Sequence, residues 1–141
     1  MDLVKTVALS CLNLPYIWGG STPLTGMDCS GFVQWVLASC GMDPPGDQTA
    51  QGLFDHFSKN GQWNKLGCGS IAFYGKSATQ VTHVAIMLDA YRIIEAGGGD
   101  SSCVDYESAK KKNAMIRVRL LKNRGDLVAV IRPNYVPIGI T

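Results

Sequence analysis

The chain has 141 residues, of which 46% are hydrophobic and 17% are charged, a balance that fits one folded domain with a substantial core and excludes intrinsic disorder. The formal net charge at pH 7 is only +2, so the composition gives no reason to expect binding to nucleic acid. No apolar run approaches the ~18 residues of a membrane-spanning helix, and we expect no membrane partner.

Three helices are predicted in the N-terminal part of the chain, because apolar residues recur there with the helical period. The predicted helices are 2–12, 29–41 and 50–59. Asp2 and Thr49 are the expected caps of the first and third helix, since their side-chain oxygens can accept hydrogen bonds from unpaired backbone N–H groups. The glycine-rich stretch from Pro15 to Met27 is predicted as a loop that leads into the second helix.

After Ser70 the pattern changes to short apolar or alternating segments, which predicts β-strands. The predicted strands are 71–74, 83–88, 91–96, 115–121 and 127–131. A turn at Asp89 and Ala90 makes the second and third of these a hairpin, and 97–102 is expected to be a mobile loop. Helices followed by neighbouring strands favour an α+β fold, with N-terminal helices packed on an antiparallel sheet of about five strands.

Cys29 lies where the glycine-rich loop meets the start of the second helix. Unpaired N–H groups and the positive end of the helix dipole stabilise an anion there, so we expect this thiol to lose its proton readily and to act as a nucleophile. The alternative is a buried core cysteine, since free cysteine is among the most buried residue types. The five cysteines show no zinc-type spacing, so we expect no metal and no cofactor, while disulfides between some of them stay open.

A thiol nucleophile works with a base, and the chain has two histidines. His83 is favoured because it begins an otherwise apolar strand, whereas His56 lies on the third helix among solvent-facing neighbours. Glu95 lies near the end of the returning hairpin strand, where antiparallel pairing brings it beside His83. We therefore predict Cys29 as nucleophile, His83 as base and Glu95 as the group that orients the base. The alternatives are an edge histidine bonded to backbone and a surface glutamate.

Four segments resemble the NlpC family of cell-wall cysteine peptidases, and their order and spacing match over nearly the whole chain. They are Tyr16-Ile17-Trp18-Gly19-Gly20, Asp28-Cys29-Ser30-Gly31-Phe32, Gly69-Ser70-Ile71-Ala72-Phe73-Tyr74 and His83-Val84-Ala85-Ile86. The resemblance implies one papain-like domain over residues 1–141. It also implies hydrolysis of peptidoglycan stem peptides through a Cys29 acyl-enzyme, at the bond between γ-D-glutamate and the diamino acid.

The same resemblance implies roles for three more residues. Tyr16 would line the cleft and help the backbone N–H of Cys29 to hold the oxyanion. Asp28 and Ser30 would contact the polar end of the stem peptide. Without the resemblance, Tyr16 fits a core aromatic equally well and Asp28 fits a helix cap.

Two positions depart from the family's pattern, and two other functions stay open. Glu95 stands where the family often has a second histidine, and Ser70 stands where an aspartate is common, a change that we interpret as structural. The open alternatives are a papain-like amidase or acyltransferase acting on another amide or a lipid, and a catalytically silent component of a phage tail or a similar assembly.

The N-terminus bears on where the protein acts. Asp2 and Lys5 interrupt it, so we expect no signal peptide in this chain. The partner expected besides a peptidoglycan peptide is therefore a carrier, a phage tail or a wall-targeting protein, unless the chain is a domain trimmed from a longer protein.

Overall fold

The computed structural model describes residues 1–136, which form four helices and eight strands. The helices are α1 (Asp2–Ser10), α2 (Cys29–Ala38), α3 (Ala50–Lys59) and α4 (Tyr106–Lys111). The strands are β1 (Ser21–Thr22), β2 (Gly26–Met27), β3 (Gly61–Trp63), β4 (Ile71–Gly75), β5 (Val81–Met87), β6 (Arg92–Gly97), β7 (Met115–Leu120) and β8 (Leu127–Pro133). No helix within residues 1–136 combines the length and the apolar character needed to cross a membrane.

Six strands form one sheet in the order β3-β8-β4-β5-β6-β7, and every neighbouring pair is antiparallel. The predicted α+β fold, with helices preceding an antiparallel sheet, is confirmed. The sheet has six strands where about five were expected, because β3 is only three residues long and directly follows the end of α3. β1 and β2 pair with each other as a short ribbon inside the predicted glycine-rich loop.

Several predicted boundaries move by two or three residues. α1 ends at Ser10 and α2 at Ala38, and β5 already begins at Val81. Asp2 is not the cap of α1, because Met1 occupies that position and Asp2 is the first helical residue. The predicted cap of α3 is confirmed, since Thr49 Oγ1 accepts a hydrogen bond of 3.0 Å from Gly52 N. Helix α4 was not predicted.

The helices bury their apolar faces on one side of the sheet. On α2 the buried residues include Phe32, Val33, Val36 and Leu37, as the helical period predicts. α2 packs on β5 and β6, and α3 packs on β5 and β8. A smaller apolar cluster that includes Tyr74 lies apart from this main core. The sheet is therefore supported by helices where β5 and β6 meet α2, and this contact positions the candidate site.

The segment 13–16 lies along β7, the last strand of the sheet. Pro15 pairs with Met115, and Ile116 exchanges hydrogen bonds of 2.9 Å with Asn13 and Leu14. These contacts join the glycine-rich loop, early in the chain, to a strand that follows about a hundred residues later. The loop and β7 are thus held together as two walls of one cavity.

Candidate active site

Cys29 is the first residue of α2, and the preceding aspartate fixes its position. Asp28 Oδ1 accepts a hydrogen bond of 2.8 Å from Gly31 N, which caps the helix, and Oδ2 accepts one of 3.0 Å from Gly19 N in the loop. A Cβ on Gly31 would collide with the carbonyl oxygen of Gly20, so the loop packs directly on the first helical turn. The carboxylate of Asp28 therefore ties the glycine-rich loop to the start of α2.

The surroundings of the Cys29 sulfur keep the thiol protonated. Burial and the nearby charge of Asp28 raise its pKa to about 11, and backbone hydrogen bonds at Val84, Ser30 and Cys29 itself offset this only in part. The expectation that the helix start makes this thiol more acidic is therefore wrong, because desolvation outweighs the N–H groups of the first turn. A thiolate at this position needs a base that accepts the proton.

His83 lies on β5 and contacts Glu95 of β6. His83 Nε2 is 2.8 Å from Glu95 Oε1, and the two residues are only 8% and 2% exposed. The pairing of Ile86 with Ile94 places Glu95 two residues from the position opposite His83, on the same face of the sheet. A neutral imidazole that donates from Nε2 to a carboxylate carries its lone pair on Nδ1, and in that tautomer Nδ1 is able to accept a proton.

Arg117 also binds Glu95. Its Nε donates to Glu95 Oε2 at 3.2 Å, and the two residues stand directly opposite each other in the β6–β7 pairing. Burial alone would raise the pKa of the Glu95 carboxyl, but the hydrogen bonds and charges of His83 and Arg117 hold this pKa below its usual value. The sequence indicated only a half-exposed strand around Arg117, since the partner of a strand charge depends on the register.

These side chains line one open cavity of about 490 Å³. Among its lining residues are Tyr16, Cys29, His83, Glu95, Gly97, Gly98, Gly99, Arg117, Arg119 and Arg124. Four of the six predicted site residues thus meet in this cavity. The other two, Asp28 and Ser30, are not among the described lining residues, and Ser30 Oγ lies 3.3 Å from Asp28 Oδ1.

Tyr16 forms part of the cavity wall next to the cysteine. Its side chain is buried, and a Cβ on Gly99 would overlap the Tyr16 ring, so ring and loop are in close contact. Burial, followed by the charges of Cys29 and Asp28, raises the pKa of the Tyr16 phenol far above its ordinary value. The hydroxyl therefore keeps its proton and can act as a hydrogen-bond donor.

The second histidine takes no part in this arrangement. His56 lies on α3 with its ring edge against Phe57, 4.7 Å between ring centroids, and it does not line the cavity. Within residues 1–136, no three histidine, cysteine, aspartate or glutamate side chains converge as metal ligands would. All five cysteines are free thiols.

Helices packed on an antiparallel sheet, with a cysteine at a helix start and a histidine on a strand that the helix covers, define a papain-like domain. The model of the NlpC/P60 family matches residues 13–120, a span that contains Cys29, His83 and Glu95. The chain belongs to the NlpC/P60 family.

Known proteins are similar to this chain in sequence or in structure. The bifunctional muramidase/DL-endopeptidase CwlT of Bacillus subtilis is 32% identical over 127 residues, which are 86% of this chain and 38% of that protein. The gamma-DL-glutamyl hydrolase of the same organism is 29% identical over 122 residues, 79% of this chain and 27% of that protein. A lipoprotein-like member of the NLP/P60 family from Staphylococcus aureus superposes with a TM-score of 0.70 at 27% identity, covering 96% of this chain and 41% of that one. The chain spans less than half the length of each of these three proteins.

Proposed function

We propose that this chain is a cysteine peptidase domain that hydrolyses peptidoglycan stem peptides through an acyl-enzyme on Cys29. One observation carries the proposal: Cys29 and His83 line the same cavity, and Glu95 Oε1 lies 2.8 Å from His83 Nε2. We assign the proton of the neutral imidazole to Nε2, which makes Nδ1 the proton acceptor. We propose that the chain is a single catalytic domain, and the proposed reaction requires no metal or cofactor.

In the first proposed step the proton of the Cys29 thiol passes to His83 Nδ1 as the sulfur attacks the carbonyl carbon of the substrate. A carbon–sulfur bond forms, and the carbonyl oxygen becomes an oxyanion. When the tetrahedral intermediate collapses, the carbon–nitrogen bond breaks and the leaving amine takes the proton from His83. A water molecule then gives a proton to His83 and its oxygen attacks the acyl carbon. The carbon–sulfur bond breaks and the sulfur takes the proton back from His83, which releases the acid and restores the Cys29 thiol.

The oxyanion requires donors that are in place before the reaction. We assign this role to the backbone N–H of Cys29 and to the phenol of Tyr16, which lines the cavity and keeps its proton. Asp28 shapes the site from outside the cavity wall by capping α2 and holding Gly19. Contact of Asp28 and Ser30 with the polar end of the stem peptide remains part of the proposal.

The proposed scissile bond joins γ-D-glutamate to the diamino acid. The names of the two Bacillus relatives support this choice, since one is a DL-endopeptidase and the other a gamma-DL-glutamyl hydrolase. Arg119 in the cavity wall supports it as well, because γ-D-glutamate keeps a free α-carboxylate next to this bond.

Purified muropeptides, incubated with the protein and analysed by mass spectrometry, test the proposal. We expect two products whose masses correspond to hydrolysis after γ-D-glutamate, and no products with Cys29→Ala. Cys68→Ala is the matched control, since Cys68 is another partly exposed thiol that does not line the cavity. Cleavage of the glycan strand, or unchanged muropeptides with intact Cys29, would contradict the proposal.

A further inference from the structure

We propose that Arg117 is a positioning residue, whose guanidinium holds the second oxygen of the Glu95 carboxylate and limits how strongly that carboxylate retains a proton on His83. The inference rests on the function proposed for Cys29, His83 and Glu95. Arg117 lies outside the sequence motifs from which the site was predicted.

The geometry gives the two carboxylate oxygens of Glu95 different partners. Oε1 contacts His83 Nε2 at 2.8 Å, and Oε2 accepts from Arg117 Nε at 3.2 Å. The Glu95 side chain is only 3% exposed, whereas that of Arg117 is 28% exposed. A carboxylate this deeply buried requires partners for its charge, and with both oxygens bound it is restrained from rotating away from His83.

The backbone beside the pair leaves room for it. A Cβ on Gly97 would overlap Glu95 Oε2 and lie 3.0 Å from Arg117 Nη2. A Cβ on Gly98 would lie 3.2 Å from Arg117 Nη1, and Gly98 has a φ of +83° that favours glycine. A side chain at position 97 or 98 would therefore collide with the Glu95 carboxylate or the Arg117 guanidinium.

The charges of Arg117 and Glu95 have opposite effects on the proton affinity of His83. A negative charge at Glu95 favours an added proton on His83, and a positive charge at Arg117 disfavours it. Removal of Arg117 should therefore move the acidic limb of activity to higher pH, and removal of the Glu95 charge should move it to lower pH.

Other charged or titratable groups face the same pair from neighbouring elements. Cys29 approaches from α2, and the ring of Tyr74 on β4 lies 5.7 Å from that of His83. Arg124 stacks over Tyr74 at 5.2 Å, and its Nη2 is 2.8 Å from Asp126 Oδ2. The guanidinium of Arg124 and the carboxylate of Asp126 thus form a pair whose opposite charges largely offset each other at Glu95 and His83. Arg119 also lines the cavity, but among residues 1–136 the arginine that forms an ion pair with Glu95 is Arg117.

The test compares Arg117→Gln with Arg117→Lys, and Arg92→Gln is the control because Arg92 is an exposed arginine of β6 that pairs with Asp89. The readouts are pH profiles of kcat/KM with muropeptide and of Cys29 alkylation by iodoacetamide. We expect Arg117→Gln to raise the acidic limb of both profiles by about 0.5 to 1 pH unit, less than for a buried neighbour because Arg117 is partly exposed. Arg117→Lys retains the charge and should keep the acidic limb in place. Both variants should lower kcat, by about tenfold for Arg117→Gln, and this loss should exceed any increase in KM.

Superimposable profiles of Arg117→Gln and the wild type would overturn the proposal, as would a loss confined to KM, which indicates substrate contact instead. The double variant Glu95→Gln/Arg117→Gln should lose no more kcat than Glu95→Gln alone, and an additive loss also refutes the inference.

If Arg117→Gln does not fold, Gly97→Ala takes its place, with Gly125→Ala as control because a Cβ there meets no atom within 4 Å. Gly97→Ala should then lower kcat selectively, and unchanged kcat counts against the proposal. Failure of muropeptide cleavage refutes the proposed function alone, since the alkylation profile still reports on Arg117.

Discussion

Replacement of Glu95 by glutamine tests the role of the carboxylate most directly. The amide keeps the shape of the side chain and one acceptor for His83 Nε2, but it removes the charge that lies 2.8 Å from that nitrogen. Two unit charges about 4 Å apart interact by about 4 kcal/mol at an effective dielectric constant of about 20. Solvent in the open cavity screens this interaction, and a reduction by about half leaves about 2 kcal/mol, which corresponds to about 1.5 pH units.

The sign follows from the charge that is removed. Without the carboxylate, both protons of the Cys29–His83 pair are held less tightly, so both limbs of the pH–activity profile should move to lower pH, by about 1 to 2 units. We expect kcat to fall by roughly 10- to 100-fold, since the remaining amide acceptor still orients the ring. The assay is muropeptide hydrolysis between pH 4 and 10 with wild type and Glu95→Gln side by side.

Glu107→Gln is the matched control, because Glu107 is the chain's other glutamate and lies exposed on α4. Thermal melting of both variants checks that they fold. If the profiles of wild type and Glu95→Gln superimpose, Glu95 is not the third member of the site. A shift of both limbs to higher pH would refute the electrostatic reasoning itself.

Two further predictions concern the cysteine and the tyrosine. Burial already raises the pKa of the Cys29 thiol to about 11 in the intact protein, so its reaction depends on the proposed transfer of the proton to His83. His83→Ala removes this acceptor, and alkylation of Cys29 by iodoacetamide at pH 7 should fall by roughly 100-fold in peptide mapping; a rate equal to that of the wild type would show that His83 does not take the proton. Gly99→Ala places a methyl group against the Tyr16 ring and should cost about 1 to 3 kcal/mol of unfolding free energy in denaturant titrations; stability within about 0.3 kcal/mol of the wild type would show that the ring has room to move.

The fold and the positions of Cys29 and His83 were accessible from the sequence because their signals are local. The helical period around Phe32 and the polar residue at the start of an apolar strand placed Cys29 and His83 correctly on α2 and β5. Glu95 could be placed beside His83 because a short hairpin turn limits the possible registers. Helix α4 and strand β3 were not predicted because each is too short to show a hydrophobic period.

The charge balance of the site could not be predicted, because it depends on contacts between distant segments. Arg117 faces Glu95 only through the β6–β7 pairing, for which the intervening chain gives no register signal. The acidity of Cys29 was misjudged for a related reason. A helix start is visible in the sequence, whereas the burial that raises the pKa of the thiol results from packing against β5 and β6.

The bridge between Pro15 and Met115 has a consequence for the order of folding. It closes a loop of about a hundred residues, and the entropy lost in closing a loop grows with its length, so contacts of this kind form after local helices and hairpins. Tyr16 and Arg117 flank the two ends of this bridge. Recovery of enzymatic activity after dilution from denaturant should therefore coincide with the slowest refolding phase, and N-terminal fragments that end before β7 should gain helix without gaining a functional cleft.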